Sequence, residues 1–287
     1  MTAILAKSPL DFTIEKFLSL VDEQQYKAPN KTPLLIIKYG PPGSGKSSAD
    51  KLISKIVGQD LLNFVHIDKD SPLITIAEFR TRSIEIIKKK QIPFVDQAVF
   101  KQVLTLQNEI LSAKNKDGLS ITDKIPIVLQ RCFDYNLNII WETTGQSTES
   151  QKLLDAVFNS VPQIYRILVV FPIISLKTAK KRVISRAFKH LEEDPPYFRP
   201  VPLNQLKKAT IQSREYFTKK IIPRVLNGQI YQLLCYNNEI IPENGNYKVI
   251  TDKNVTRRRN KKRLLPSWKF TLDKKGKRVT IKNNRTL

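Results

Sequence analysis

The segment Gly40, Pro41, Pro42, Gly43, Ser44, Gly45, Lys46, Ser47, Ser48 constrains this chain more than any other stretch of it. It follows an apolar run at 33–40, PLLIIKYG, and opens a helical pattern over 47–57. The string fits G-x-x-x-x-G-K-[ST] through Gly40, Gly45, Lys46 and Ser47. Glycines there let successive backbone N–H groups turn inward without Cβ clashes, and a following helix N-terminus reinforces the concave anion site. A nucleotide phosphate is the expected occupant. Lys46 is then placed to reach the β- and γ-phosphates of ATP or GTP, and Ser47 to offer its hydroxyl to Mg2+.

The rest of the chain repeats the strand–helix alternation. Further apolar runs stand at 63–68 (NFVHID), 137–142 (LNIIWE), 165–172 (YRILVVFP) and 229–237 (QIYQLLCYN). Near-continuous apolarity rich in β-branched and aromatic residues marks strands buried on both faces. Helical patterns lie at 73–90, 96–115, 121–136, 149–160, 175–192 and 202–221, with Gly118 and Pro126 as punctuation within the first group. The expected fold is therefore α/β: a P-loop, kinase-like parallel sheet of about five strands flanked by helices. Three parts are expected: an amphipathic helix in 1–32, a P-loop domain over 33–237, and a basic extension over 238–287. The domain would carry a helical insert at 73–136 and a proline-rich lid loop at 193–202. A hairpin is expected around Asn244-Gly245, and a turn at Lys275-Gly276.

Charge narrows the class of partner. The chain of 287 residues carries a net charge of +23. Residues 253–287 hold fourteen Lys or Arg against the single acid Asp273, so more than half of the excess sits in this tail. Cys132 and Cys235 are the only cysteines, which argues against a disulfide framework and for a reducing, cytoplasmic compartment. The basic run RRRNKKR at 257–263 leaves nuclear targeting open. No apolar run approaches the ~18 residues of a transmembrane helix, and the acid-bearing N-terminus does not read as a signal peptide, so no membrane is expected. With only His66 and His190, a histidine metal site is not expected either.

Three further motifs carry chemistry. Asp68 and Asp70 stand at the carboxyl end of the second apolar run, where ligands of open α/β sheets bind. One of them could orient a hydroxyl and accept its proton, or act as a turn acid capping the next helix. Glu142 closes the third run in the manner of a Walker B acid, ahead of Thr143, Thr144 and Gly145. It could hold a Mg2+ water or a substrate hydroxyl, with Thr144 donating to substrate, or simply cap the helix beginning near Thr148. Arg186 and Arg199 flank a proline loop, and mobile arginines are the usual counter-charge for phosphoryl transfer. Their neighbours Lys180, Lys181 and Arg182 read as a solvated face.

Taken in order, these four motifs resemble the zeta toxin-like P-loop kinases. The matching residues are Gly40–Ser47, Ile67-Asp68-Lys69-Asp70, Glu142-Thr143-Thr144-Gly145, Ile184-Ser185-Arg186, and Asp194-Pro195 through Arg199. The resemblance covers about residues 33–237. It implies a kinase acting on a sugar hydroxyl of a UDP-N-acetyl amino sugar. Asp70 would be the general base and Lys46 the phosphate clamp; Arg186 and Arg199 would hold the transferring phosphate, with Glu142 and Thr144 on substrate. The sequence departs from the family on the substrate side. SPLITIAEF has no histidine, Leu206-Lys207 replace a His-Asp pair, and Thr143 stands where a small residue is usual.

Two other readings compete with a kinase of a small-molecule hydroxyl. One is a nucleic-acid-associated protein, such as a polynucleotide 5′-hydroxyl kinase, with residues 253–287 as a nonspecific nucleic-acid contact and Trp268 and Phe270 to stack on bases. The other is a non-catalytic nucleotide-binding protein, which leaves Asp70 and the two arginines without a role.

Overall fold

The structure is a computed structural model, and it describes residues 32–88, 96–114, 118–238, 249–250, 267–272 and 279–284. The expected N-terminal helix, the Asn244-Gly245 turn and the Lys275-Gly276 turn lie outside these residues. The chain divides into two compact units. One contains 63–139 and 181–205 with the residues before Leu34; the other contains 34–62, 140–180 and 206–287.

In the second unit, β1 (Leu34–Tyr39) is buried along all but its first residue, as its unbroken LLIIKY predicts. It pairs in parallel with β4 (Arg166–Ile173), from Leu34 opposite Arg166 to Lys38 opposite Val170. On the far side of β4, β5 (Gln232–Asn237) is also parallel, and β6 (Val249–Ile250) closes that edge antiparallel. The carboxyl end of β3 (Ile139–Thr143) lies beside β1, where Gly40 N–H donates to Thr143 C=O at 3.2 Å. Among the helices of this unit are α1 (Asp50–Val57) and α6 (Thr148–Ser160). Tyr39, Phe171 and Phe217 form its aromatic centre, the last two stacked at 4.1 Å.

In the other unit, β2 (Val65–Asp68) meets the residue before β3, Val65 N–H donating to Asn138 C=O at 2.8 Å. The resulting strand order is β2-β3-β1-β4-β5-β6, with the first five strands parallel as the alternating pattern predicts. Four helices follow β2: α2 (Asp70–Thr75), α3 (Ala77–Lys88), α4 (Gln97–Ser112) and α5 (Ile121–Asp134). They bury a cluster centred on Phe79, Phe100, Val103 and Phe198, the rings of Phe100 and Phe198 lying 5.9 Å apart. Pro126 does not punctuate this region; it lies inside α5. A proline there forgoes one backbone bond. Two features outweigh that loss: a capping box between Ser120 and Asp123, and an apolar stripe of Ile121, Ile125, Val128, Leu129 and Phe133.

Three further helices are described: α7 (Leu176–Lys189), α8 (Leu203–Tyr216) and α9 (Ile222–Leu226), with a π-helical turn over Phe217–Ile221 between the last two. At the far C-terminus β7 (Ser267–Leu272) and β8 (Val279–Asn284) pair antiparallel with Phe270 opposite Ile281, flanking the turn expected at Lys275-Gly276. Among the described residues, no helix is long and apolar enough to cross a membrane.

Candidate active site

The sequence-predicted site residues fall into two sets, one in each unit. The first is the P-loop after β1. Gly40, Gly43 and Gly45 have φ of +146°, +73° and +85°, backbone that side chains other than glycine's rarely adopt. Pro41 and Ser44 are buried and Pro42 half-buried. The Ser44 hydroxyl has no hydrogen-bond partner among the described residues. Lys46 is 6% exposed, and its Nζ donates to Gly40 C=O at 2.9 Å and Pro41 C=O at 3.3 Å. Glu142 Oε1, from the end of β3, lies 3.7 Å from the same ammonium. The two serines after Lys46 divide their work. Ser48 Oγ donates to Gly45 C=O at 2.8 Å, whereas Ser47 is exposed.

The loop beyond Glu142 is pinned from below. Ser213 Oγ donates to Thr144 C=O at 2.6 Å, and Gln151 Nε2 donates to Gly145 C=O at 2.9 Å. Thr144 therefore keeps a fixed backbone while its side chain stays half-buried. Glu142 does not cap the next helix. Ser147 and Ser150 form that capping box, which leaves the carboxylate facing Lys46. The residues present fit a nucleotide triphosphate and Mg2+: an anion-shaped backbone turn, one buried ammonium, one exposed hydroxyl and one carboxylate. Among the described residues no three His, Cys, Asp or Glu gather into a metal cluster, so a Mg2+ held here would rest on Ser47, Glu142 and phosphate oxygens.

The second set lies at the end of β2 and along α7. Asp68 Oδ1 accepts from Asp70 N–H at 3.0 Å, the turn-acid geometry that was one of its two expected roles. Asp70 faces Arg199, whose Nη2 donates to Oδ2, while Oδ1 is buried without a hydrogen-bond partner among the described residues. The segment bearing Arg199 is fixed by two backbone bonds: Tyr197 N–H to His190 C=O at 3.1 Å, and Phe198 N–H to the buried Ser83 Oγ at 3.1 Å. Arg182, Arg186 and His190 recur every four residues and so share one face. Lys180 and Lys181 are exposed as expected, whereas Arg182 is half-buried. His190 stacks on Tyr197 at 4.3 Å. Burial, reinforced by the charges of Arg186, Arg199 and Lys189, pushes its imidazole down to about 4, so it is neutral among the arginines at pH 7.

Sequence reading missed Asn238, Tyr236 and Ser83. Asn238 is fully buried and its Nδ2 donates to Ser44 C=O at 2.6 Å; Tyr236 OH donates to Gly45 C=O at 3.0 Å. The signal was available for the first two, since polar groups closing an apolar strand at its carboxyl end face the ligand side of such sheets. For Ser83, one serine in an amphipathic helix, no sequence signal exists.

No family model and no curated protein sequence matches the chain. Among solved structures it is similar to one from the PezAT chromosomal toxin–antitoxin system of Streptococcus pneumoniae, at 13% identity and TM-score 0.45, covering 84% of this chain and 80% of that one. It is also similar to the AvrRxo1-ORF1:AvrRxo1-ORF2 structure, at 11% identity and TM-score 0.45, covering 86% and 72%. A gluconokinase from Sinorhizobium meliloti matches at 15% identity and TM-score 0.30, over 72% and 84%. The fold is shown by the strand order and the phosphate loop. The chain has the α/β P-loop fold, and its motifs follow the order of the zeta toxin-like kinases it resembles.

Proposed function

We propose that the protein is an ATP- or GTP-dependent kinase that transfers the γ-phosphoryl group to a hydroxyl of a small molecule, with a UDP-N-acetyl amino sugar as the candidate acceptor. The observation that carries this reading is Lys46, buried in a glycine-turned loop at the end of a central parallel strand with Glu142 at 3.7 Å. A bound nucleotide would supply the phosphoryl group and Mg2+ the charge neutralisation. Asp70 takes the acceptor's hydroxyl proton as that oxygen bonds to the γ-phosphorus; the β–γ bridging P–O bond breaks and the nucleoside diphosphate leaves. Arg186 and Arg199 stabilise charge on the transferring group, while Glu142 and Thr144 contact the acceptor. Asp68 shapes the turn that presents Asp70.

The test is transfer of label from γ-labelled ATP to a panel of hydroxyl acceptors that includes UDP-N-acetyl amino sugars. Label on a UDP-sugar supports the full proposal. Label on another alcohol supports the kinase and removes the amino sugar, and turnover to free phosphate with every acceptor removes the kinase.

In the same proposal residues 33–237 form the kinase domain between an amphipathic helix in 1–32 and a basic extension over 238–287, in a reducing, cytoplasmic setting. The buried thiols of Cys132 and Cys235, both pushed up to about 12 by burial, suit that setting. A second reading, polynucleotide 5′-hydroxyl kinase, is favoured by the β7–β8 pair within the basic tail. It predicts that removing 253–287 lowers polynucleotide affinity, and that affinity of the full chain falls steeply between two salt concentrations. Unchanged affinity after truncation would take the tail out of the reading.

A further inference from the structure

The P-loop is a ring of peptide units, and its use as an anion site depends on which way those units face. In a trans peptide the C=O and the next residue's N–H point in opposite directions. Whatever holds a loop carbonyl outward therefore turns the following N–H inward. Two consecutive loop carbonyls are held in this way from β5 and its end. Asn238 Nδ2 donates to Ser44 C=O at 2.6 Å, which directs the Gly45 N–H. Tyr236 OH at 3.0 Å, with Ser48 Oγ at 2.8 Å, donates to Gly45 C=O, which directs the Lys46 N–H.

The donors are themselves fixed. Both residues are fully buried, and Asn238 N–H donates to Ile173 C=O at 2.9 Å, extending the β4–β5 ladder by one residue. The contact also explains Gly45. A Cβ there would come within 2.0 Å of Asn238 Nδ2, so the amide in this position requires a glycine at 45. Neither Tyr236 nor Asn238 belongs to the G-x-x-x-x-G-K-[ST] string; they lie 191 and 194 residues from the carbonyls they hold.

We propose that Asn238 and Tyr236 are positioning residues for nucleotide phosphate, presetting the Gly45 and Lys46 amides of the P-loop for the phosphate oxygens. This rests on the nucleotide-binding part of the proposed function. A loop whose amides must be turned on binding spends affinity to order them, whereas a preset loop does not. Loss of either donor then appears as weaker nucleotide binding by a folded protein.

The test uses the full chain as wild type, Lys46→Ala, Asn238→Leu and Tyr236→Phe. Asn238→Leu keeps the volume and removes the donor; Tyr236→Phe keeps the ring and removes the hydroxyl. A fluorescent ATP analogue with Mg2+ gives Kd by anisotropy, alongside the thermal unfolding midpoint and kcat and KM for ATP turnover. The expected result is a Kd and KM raised about tenfold in each variant, with kcat changed less than KM. The midpoint should stay within a few degrees in Tyr236→Phe. A purely structural role would lower the midpoint and leave the Kd of the folded fraction unchanged, and that result overturns the proposal. If wild type binds and Lys46→Ala does not, yet both β5 variants bind as wild type, the inference falls while the nucleotide site stands. If wild type itself binds no nucleotide, both fall.

Discussion

A Cβ at Gly145 would lie 2.2 Å from Tyr39 Cε2, and Tyr39 is fully buried with its hydroxyl donating to Ser213 C=O at 2.8 Å. Gly145 also has φ +56°. Clash and backbone strain therefore act together, and Gly145→Ala should lower unfolding free energy by about 3 kcal/mol, measurable by urea denaturation. A loss below about 1 kcal/mol would mean that Tyr39 can move aside. His190 gives a second residue-scale expectation. Its folded-state imidazole titrates at about 4 against an ordinary 6.5, so between these values the unfolded chain binds the extra proton. The contribution of neutral His190 is present above pH 6.5 and is lost as pH falls toward about 4. His190→Gln should flatten the fall in stability over that window. An unchanged pH profile would show that neither burial nor the charges of Arg186, Arg199 and Lys189 hold the imidazole neutral.

At the scale of elements, hydrophobic period located every strand of the parallel sheet to within a few residues, because both faces of each are buried and the apolar run has no reason to break. Helix interiors were less legible. Pro126 reads as a breaker, yet it occupies an exposed position on α5 while the opposite face fills the core. The ring thus costs a backbone bond and contributes no buried contact. Pro126→Ala should raise unfolding free energy by about 1–2 kcal/mol, since the recovered helix bond exceeds the lost restriction of the unfolded chain. A lower thermal midpoint in this variant would indicate that α5 needs the bend. Among functional loops, Glu142 could be read as Walker-like or as a helix cap from sequence alone. The Ser147–Ser150 capping box removes the helix-cap reading, and serines spaced by three do not announce that role unless the helix start is known.

For the whole molecule, the P-loop was legible because its chemistry is local: glycines, lysine and serine must be contiguous to wrap an anion. The groups that act at a distance were legible only through order of motifs, as with Asp70 and Arg199, 129 residues apart and bonded. Ser83 was not legible at all, since it acts through one hydrogen bond to a distant backbone atom, whereas Asn238 was marked only by its place at the carboxyl end of an apolar run. The central claim is phosphoryl transfer with Asp70 as base, and one comparison tests it most directly: ATP binding and label transfer measured side by side in wild type, Lys46→Ala and Asp70→Asn. Lys46→Ala should lose about ten- to a hundredfold in nucleotide affinity. Asp70→Asn should bind ATP as wild type does while transferring phosphate about 10²–10⁴-fold more slowly. Transfer at the wild-type rate by Asp70→Asn would contradict the account.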